Sequence, residues 1–229
     1  MKAKRVSNVL MIFGAILILG ALGLCIYNWH ESRNAEIASA ESLAEVKQIV
    51  EQMEAKEEQP SEEAGEETPD KNPVPDPYLP HLPTSAEMPE VEIDGNKYIG
   101  YLSIPSLNLE LPVMSDWAYP KLKIAPCRQF GATRSNDLVI AAHNYSRHFG
   151  HLKDMKAGDT IQFVDMNGEV SVYSVEIVEI IPPGAIDEVQ NSEWDLVLYT
   201  CTYGGKSRVM LGARKILVSS RKQIFDSLH

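Results

Sequence analysis

Residues 9–26 read Val-Leu-Met-Ile-Phe-Gly-Ala-Ile-Leu-Ile-Leu-Gly-Ala-Leu-Gly-Leu-Cys-Ile, with no charged side chain among them. A helix over that run is about 27 Å long, close to the hydrocarbon thickness of a bilayer. The 229-residue chain is therefore not read as one water-soluble globule. Lys2, Lys4 and Arg5 precede the run, whereas Glu31 follows it, with Arg33 as the nearest cation. That asymmetry keeps the N-terminus in the cytoplasm and exports the rest. A cleaved signal peptide would have a shorter apolar region and a small-x-small site, which Cys25 to His30 does not supply. Tyr27 and Trp29 suit an interfacial aromatic belt instead. The reading is a cytoplasmic segment 1–8 and an uncleaved, single-pass membrane anchor 9–27.

Charge then separates a tether from a folded domain. Residues 31–92 hold 17 acids against four bases, which leaves residues 93–229 one charge from neutral. The acidity of the chain belongs to the tether and says little about a substrate. No basic patch outside the membrane flank has the density that nucleic-acid binding needs. Residues 34–56 have helix-forming composition, with Leu43, Val46, Val50 and Met53 in a short apolar stripe. From Glu57 to Pro80 the chain is rich in Glu and Pro and reads as an extended spacer. Residues 28–92 are thus expected to be an extracytoplasmic linker holding one short helix.

Beyond that linker the pattern is short strands. Thr160 to Met166 and Glu169 to Ile181 flank Asn167-Gly168, a two-residue hairpin signal. Asp195 to Cys201 and Ser207 to Val218 form a second pair, joined by a connection containing Gly204-Gly205. Phe149 to Met155 suits a helical turn. Strands at this spacing predict a mostly β domain over 93–229 that closes into a barrel, which also removes exposed edges.

Two strands end in reactive residues. Leu196-Val197-Leu198-Tyr199-Thr200-Cys201 delivers a thiol to a rim, and Asp137-Leu138-Val139-Ile140-Ala141-Ala142-His143 delivers an imidazole. A cysteine nucleophile acts as thiolate and needs a basic neighbour. Arg208, just past the next turn, could hold an acyl oxygen as charge develops on it. A disulfide between the exported cysteines Cys127 and Cys201 is the competing reading, and would make the domain a non-catalytic surface-binding module. His148 and His151 are three residues apart on the predicted helical turn, which suits solvated or packed side chains; no carboxylate or cysteine joins them at ligand spacing.

Five patches, in order, resemble the sortase family, the membrane-anchored cysteine transpeptidases of Gram-positive bacteria. They are Ile99 to Pro105, Leu111-Pro112-Val113, Val139 to His143, Phe149 to Asp159, and Val197 to Cys201. Val197 stands where the family's Thr-Leu-x-Thr-Cys strand begins with threonine, and the connection from Cys201 to Arg208 is shorter than in most sortases. The resemblance implies a closed barrel of about eight strands with short helices. It also implies Cys201 as nucleophile, His143 as acid and base, and Arg208 as oxyanion or backbone holder, with no metal or organic cofactor. The partners it implies are surface proteins bearing a C-terminal sorting signal, and an amine of a peptidoglycan precursor or a pilin. A cysteine endopeptidase with the same residues would release its product to water. The Ser-x-Gly-Cys motif of a peptidoglycan L,D-transpeptidase is absent. Asp76-Pro77-Tyr78 resembles the lid of pilus-building sortases, where Asp76 would pair with Arg208 and Tyr78 would cover the thiol. A plain spacer is the alternative.

Overall fold

No proline occurs before Pro60, so nothing in the backbone interrupts the helix begun at the N-terminus. In the computed structural model, which describes residues 2–57, 88–185 and 189–216, α1 runs unbroken from Lys2 to Glu57. It is long and apolar enough to cross a membrane, and its apolar half packs against nothing: Leu10, Phe13, Ile18 and Leu24 are all exposed.

The second half behaves differently. Ala35, Ser39, Val46 and Val50 are buried along one face, pressed against the β domain. The short stripe predicted for a spacer is therefore the end of a longer docking face. Ala35 and Ser39 escape a hydrophobicity reading because they are small, and small side chains let the helix approach closely. Around this face Lys47 pairs with Glu110 at 2.6 Å, Arg147 with Glu36 at 3.1 Å and Lys123 with Glu31 at 2.7 Å. The Tyr98 hydroxyl meets Ser42 Oγ at 3.0 Å. Exposed pairs contribute at most about 1 kcal/mol each; burying the two valines, at about 1.5–3 kcal/mol apiece, does more.

Among the described residues the β domain has nine strands: β1 (Val91–Ile93), β2 (Asn96–Ile104), β3 (Leu109–Met114), β4 (Cys127–Phe130), β5 (Leu138–Ala142), β6 (Thr160–Asp165), β7 (Val170–Ile181), β8 (Leu196–Cys201) and β9 (Arg208–Ile216). Eight form the circuit β2-β3-β4-β5-β8-β9-β7-β6, closed where β6 pairs with β2 from Gly100↔Asp165 to Ser103↔Gln162. β1 is a hairpin arm on the start of β2. The expected closed barrel of about eight strands is what forms, and Met88 and β1, ahead of residue 93, belong to it. Closure depends on Gly100: its φ is +140°, and a Cβ there would lie 2.0 Å from the Val164 carbonyl oxygen. The register shift between Tyr98 and Gly100 bends β2 at the same place.

Strand alternation sorts the side chains. Leu138 and Ile140, Leu196 and Leu198, and Leu211 point into the barrel with Phe163 and Tyr173. The outward set is covered twice. Tyr98, Met114, Cys127 and Ala141 lie in the cluster that holds Val46 and Val50 of α1. Val139, Val197 and Met210 lie with Ile181, Ala185 and Val189 of the β7–β8 crossover.

Candidate active site

Register alone brings the predicted residues together. β5 and β8 pair in parallel from Leu138↔Leu196 to Ala142↔Thr200, so His143 and Cys201 leave the two strands side by side. β8 and β9 pair antiparallel, and Cys201 stands directly opposite Arg208. Alternation sets all three on the outer face, in step with Ala141, Tyr199 and Met210. They line one cleft of about 390 Å³, walled by Trp117, Tyr119, Gln129, Tyr199 and the crossover residues Ile181 and Pro182. The buried Thr200 hydroxyl donates to the Ala142 carbonyl at 2.8 Å, tying the strands one residue before the thiol and the imidazole.

The loop after β5 holds His143 in an aromatic slot. Its ring stacks on Tyr145 at 4.8 Å between centroids and meets Tyr119 edge-on at 5.6 Å. The loop folds back tightly, with Phe149 N donating to the His143 carbonyl at 3.1 Å and Gly150 N to the Tyr145 carbonyl at 2.9 Å. A Cβ on Gly150 would lie 2.6 Å from that Tyr145 oxygen. Burial, and then Lys123, hold the His143 pKa below the usual histidine value, while Glu31 pulls the other way. Its Nε2 is buried without a hydrogen-bond partner.

The cysteines divide cleanly. Cys201 is a half-buried free thiol in the cleft, whereas Cys127 is a fully buried free thiol on β4. Burial pushes Cys127 up to about 12, so it stays a thiol at any ordinary pH. The Cys127–Cys201 disulfide considered from sequence is not formed. Arg208 is partly exposed, and its Nη1 donates to the carbonyls of Gly205 and Ser207 at 3.1 Å each. Its guanidinium thus folds back on the β8–β9 hairpin beside the thiol.

The remaining sequence candidates fall elsewhere. His151 is exposed and pairs with Asp154 at 3.0 Å. His148, read as solvated or packed, is the packed case: it precedes the 3₁₀ turn Phe149–Asp154 and is wholly buried, with both ring nitrogens unpartnered. It packs beside Tyr145 and the Ala35 backbone of α1, and desolvation lowers its pKa to about 4. The docked helix, invisible to a local reading, is what removes it from solvent. Asp76 and Tyr78 lie outside the described residues. Among the described residues no group of three His, Cys, Asp or Glu is placed to hold a metal.

Several wall residues carried no sequence signal. Tyr119 reaches His143 from the β3–β4 loop, Tyr145 stands two residues beyond His143 in its own loop, and Tyr199 of β8 bonds Gln129 of β4. The Lys123–Glu31 pair also lies beside His143. Thr200 was legible in principle, as a polar residue at an inward position of an apolar strand.

The pattern for a sortase domain matches residues 102–216, just over half of the chain and spanning His143, Cys201 and Arg208. The chain belongs to the sortase family. It is 30% identical to sortase A of Bacillus anthracis over 125 residues, 52% of this chain and 59% of that one. To sortase A of Staphylococcus aureus it is 24% identical over 142 residues, covering 58% and 68%. It thus spans about three-fifths of the length of the Bacillus relative. Among solved structures, sortase C from Clostridium perfringens SM101 aligns with 53% of this chain and 71% of its own, at 24% identity and a TM-score of 0.47. Sortase C1 from Streptococcus suis aligns with 55% and 76%, at 24% identity and a TM-score of 0.48. In this sortase the matched residues comprise the barrel from β2 onward, while α1 lies outside them.

Proposed function

We propose that this chain is a membrane-anchored cysteine transpeptidase. It cleaves a sorting motif in surface proteins and passes the acyl group to an amine of a peptidoglycan precursor or a pilin. The observation that carries the reading is the strand register setting Cys201 between His143 and Arg208 at one cleft. Cys201 gives its proton to His143 and attacks the scissile carbonyl carbon as thiolate. Arg208 turns from the hairpin carbonyls to the oxygen of the tetrahedral intermediate. The C–N bond breaks, His143 protonates the leaving amine, and a thioester remains on Cys201. An incoming amine attacks that thioester, loses its proton to His143 and expels the thiolate, which restores the enzyme. General acid–base help of this kind is worth about 10²–10⁴-fold.

The charge asymmetry about residues 9–27 supports the anchor, with the N-terminus in the cytoplasm and the barrel outside. A lid built from Asp76 and Tyr78 remains part of the proposal; deleting residues 70–85 should then speed alkylation of Cys201. The main test is mass spectrometry of the full chain in detergent with a library of sorting peptides and a glycine or lysine amine. An amine-linked product is expected. Hydrolysed peptide alone would make the chain an endopeptidase, and no turnover with a reactive Cys201 would make it a binding module.

A further inference from the structure

The barrel is not free to choose its height above the membrane, because the helix that spans is also the helix that docks. α1 is unbroken from Lys2 to Glu57, and its first barrel contact comes at Glu31. Glu31 lies four residues past Tyr27, where the apolar run ends, a rise of about 6 Å. The headgroup layer on each side of a bilayer is about 5–7 Å deep. Lys123 of the β3–β4 loop is the barrel residue that meets Glu31, at 2.7 Å. The same loop carries Tyr119, whose ring touches His143. The rim holding the cleft therefore stands at headgroup height.

The surface of that rim agrees. Outside α1, six large apolar or aromatic side chains are exposed among the described residues. Four stand at the site end: Trp117 at 46%, Tyr119 at 62%, Ile180 at 70% and Tyr203 at 89%. The two least exposed, Phe130 at 42% and Ile216 at 41%, stand at the far end, near the start of β5 and the end of β9. Tryptophan and tyrosine are the residues that settle in a headgroup layer, and the anchor reading puts Trp29 and Tyr27 of α1 there. Lys206 and Arg208, also on the rim, add two cations. Lys121, Lys123 and Arg147 are neutralised by Asp116, Glu31 and Glu36.

We infer that the catalytic rim of this barrel rests in the outer headgroup layer of the membrane that α1 spans, with Trp117, Tyr119 and Tyr203 immersed and the cleft opening at the lipid surface. The inference rests on the anchor reading above. The partner is the zwitterionic lipid surface itself, because the unpaired charge on the rim is small.

The test places the full chain in nanodiscs of phosphatidylcholine carrying a diazirine beside the headgroup, followed by illumination and peptide mapping. Adducts are expected on residues 10–29 and on peptides holding Trp117–Lys123 and Tyr203, with none on those holding Phe130 or Ile216. A second variant inserts seven Ala/Glu/Lys residues after Trp29. This lengthens the helix by about 10.5 Å while nearly keeping its face, and leaves every docking contact from Glu31 onward in place. Rim adducts should be lost and span adducts kept. Absence of span adducts would break the anchor reading. Span adducts without rim adducts would overturn the docking alone and leave the aromatic rim to a protein partner. Rim adducts that survive the insertion would also overturn it, since the helix would then not set the height.

Discussion

One outer wall of this barrel is sealed and the other is left partly open, and each carries a cysteine. On the first, α1 lies against β2 and β3 and the β3–β4 loop packs beside Cys127 of β4, which is wholly buried with its thiol driven to about 12. On the second, the described crossover residues Ile181, Ala185 and Val189 cover Val139, Val197 and Met210 and wall the cleft at the strand ends. There Cys201 keeps access to solvent in a cleft of about 390 Å³. Both strand faces carry buried apolar side chains. What makes one a candidate site and the other a core is the extent of the cover, together with an imidazole and a guanidinium at the cleft.

The largest expected effect tests that comparison directly. Cys201→Ala should abolish amine transfer while leaving thermal unfolding nearly unchanged, because the thiol sits at a strand end. Cys127→Ala should keep transfer and lose about 1 kcal/mol of stability, the scale of removing one buried heavy atom. Alkylation should label Cys201 in the native protein and Cys127 only on unfolding. His143→Ala should follow Cys201→Ala, and His151→Ala should not. Full transfer by Cys201→Ala would remove the basis for treating the open wall as a site.

Next in size is Arg208→Lys, expected to lower kcat/KM by about 10²-fold, the scale of losing one oxyanion donor. A planar guanidinium can serve an oxyanion and a backbone carbonyl together, whereas an ammonium is a point charge. Arg214, further along the same strand, bonds Glu193 and lies over Trp194, so Arg214→Lys is the control for charge on that strand. Equal rates for the two variants would mean that Arg208 supplies only positive potential.

The third prediction concerns the sealed wall. His148 lies under α1 with a pKa near 4, below the ordinary histidine value of 6.5. The folded protein thus binds fewer protons than the unfolded chain between those values. Stability is fully present above about pH 6.5 and is lost as the pH falls toward 4. By pH 5 the loss should be about 2 kcal/mol. Denaturant unfolding at pH 7 and pH 5 reads it, and His148→Leu should flatten the difference. An unchanged pH dependence in that variant would assign the acid sensitivity elsewhere.

The same contrast explains what the sequence could tell. The barrel and its three rim residues were legible because alternation and strand ends are local patterns: an apolar run that ends in Cys201 or His143 declares both its direction and its terminus. The cover was not legible. Ala35 and Ser39 carry too little hydrophobicity to mark a docking face, and nothing near His148 in sequence says that a helix more than a hundred residues earlier will bury it. Tyr119 likewise becomes a partner of His143 only through tertiary closure. Local periodicity names strands; it does not name what lies across them.

The smallest predicted effect sits where the two walls meet, at Thr200. Its side chain is inward and buried, on a strand whose outward neighbours Tyr199 and Cys201 belong to the open wall. The bond from its hydroxyl to the Ala142 carbonyl is the last tie between β5 and β8 before the two reacting groups. Thr200→Val keeps the volume and removes that tie, which should cost about 1 kcal/mol of stability. It should also let the strand ends part slightly, lowering kcat with KM held, because proton transfer between Cys201 and His143 is sensitive to small displacements whereas peptide binding in the cleft is not. Thr200→Ser restores the hydroxyl and should restore kcat. A loss of stability with kcat unchanged in Thr200→Val would make the tie purely structural. It would then leave the β5–β8 ladder sufficient by itself to hold the thiol and imidazole in register.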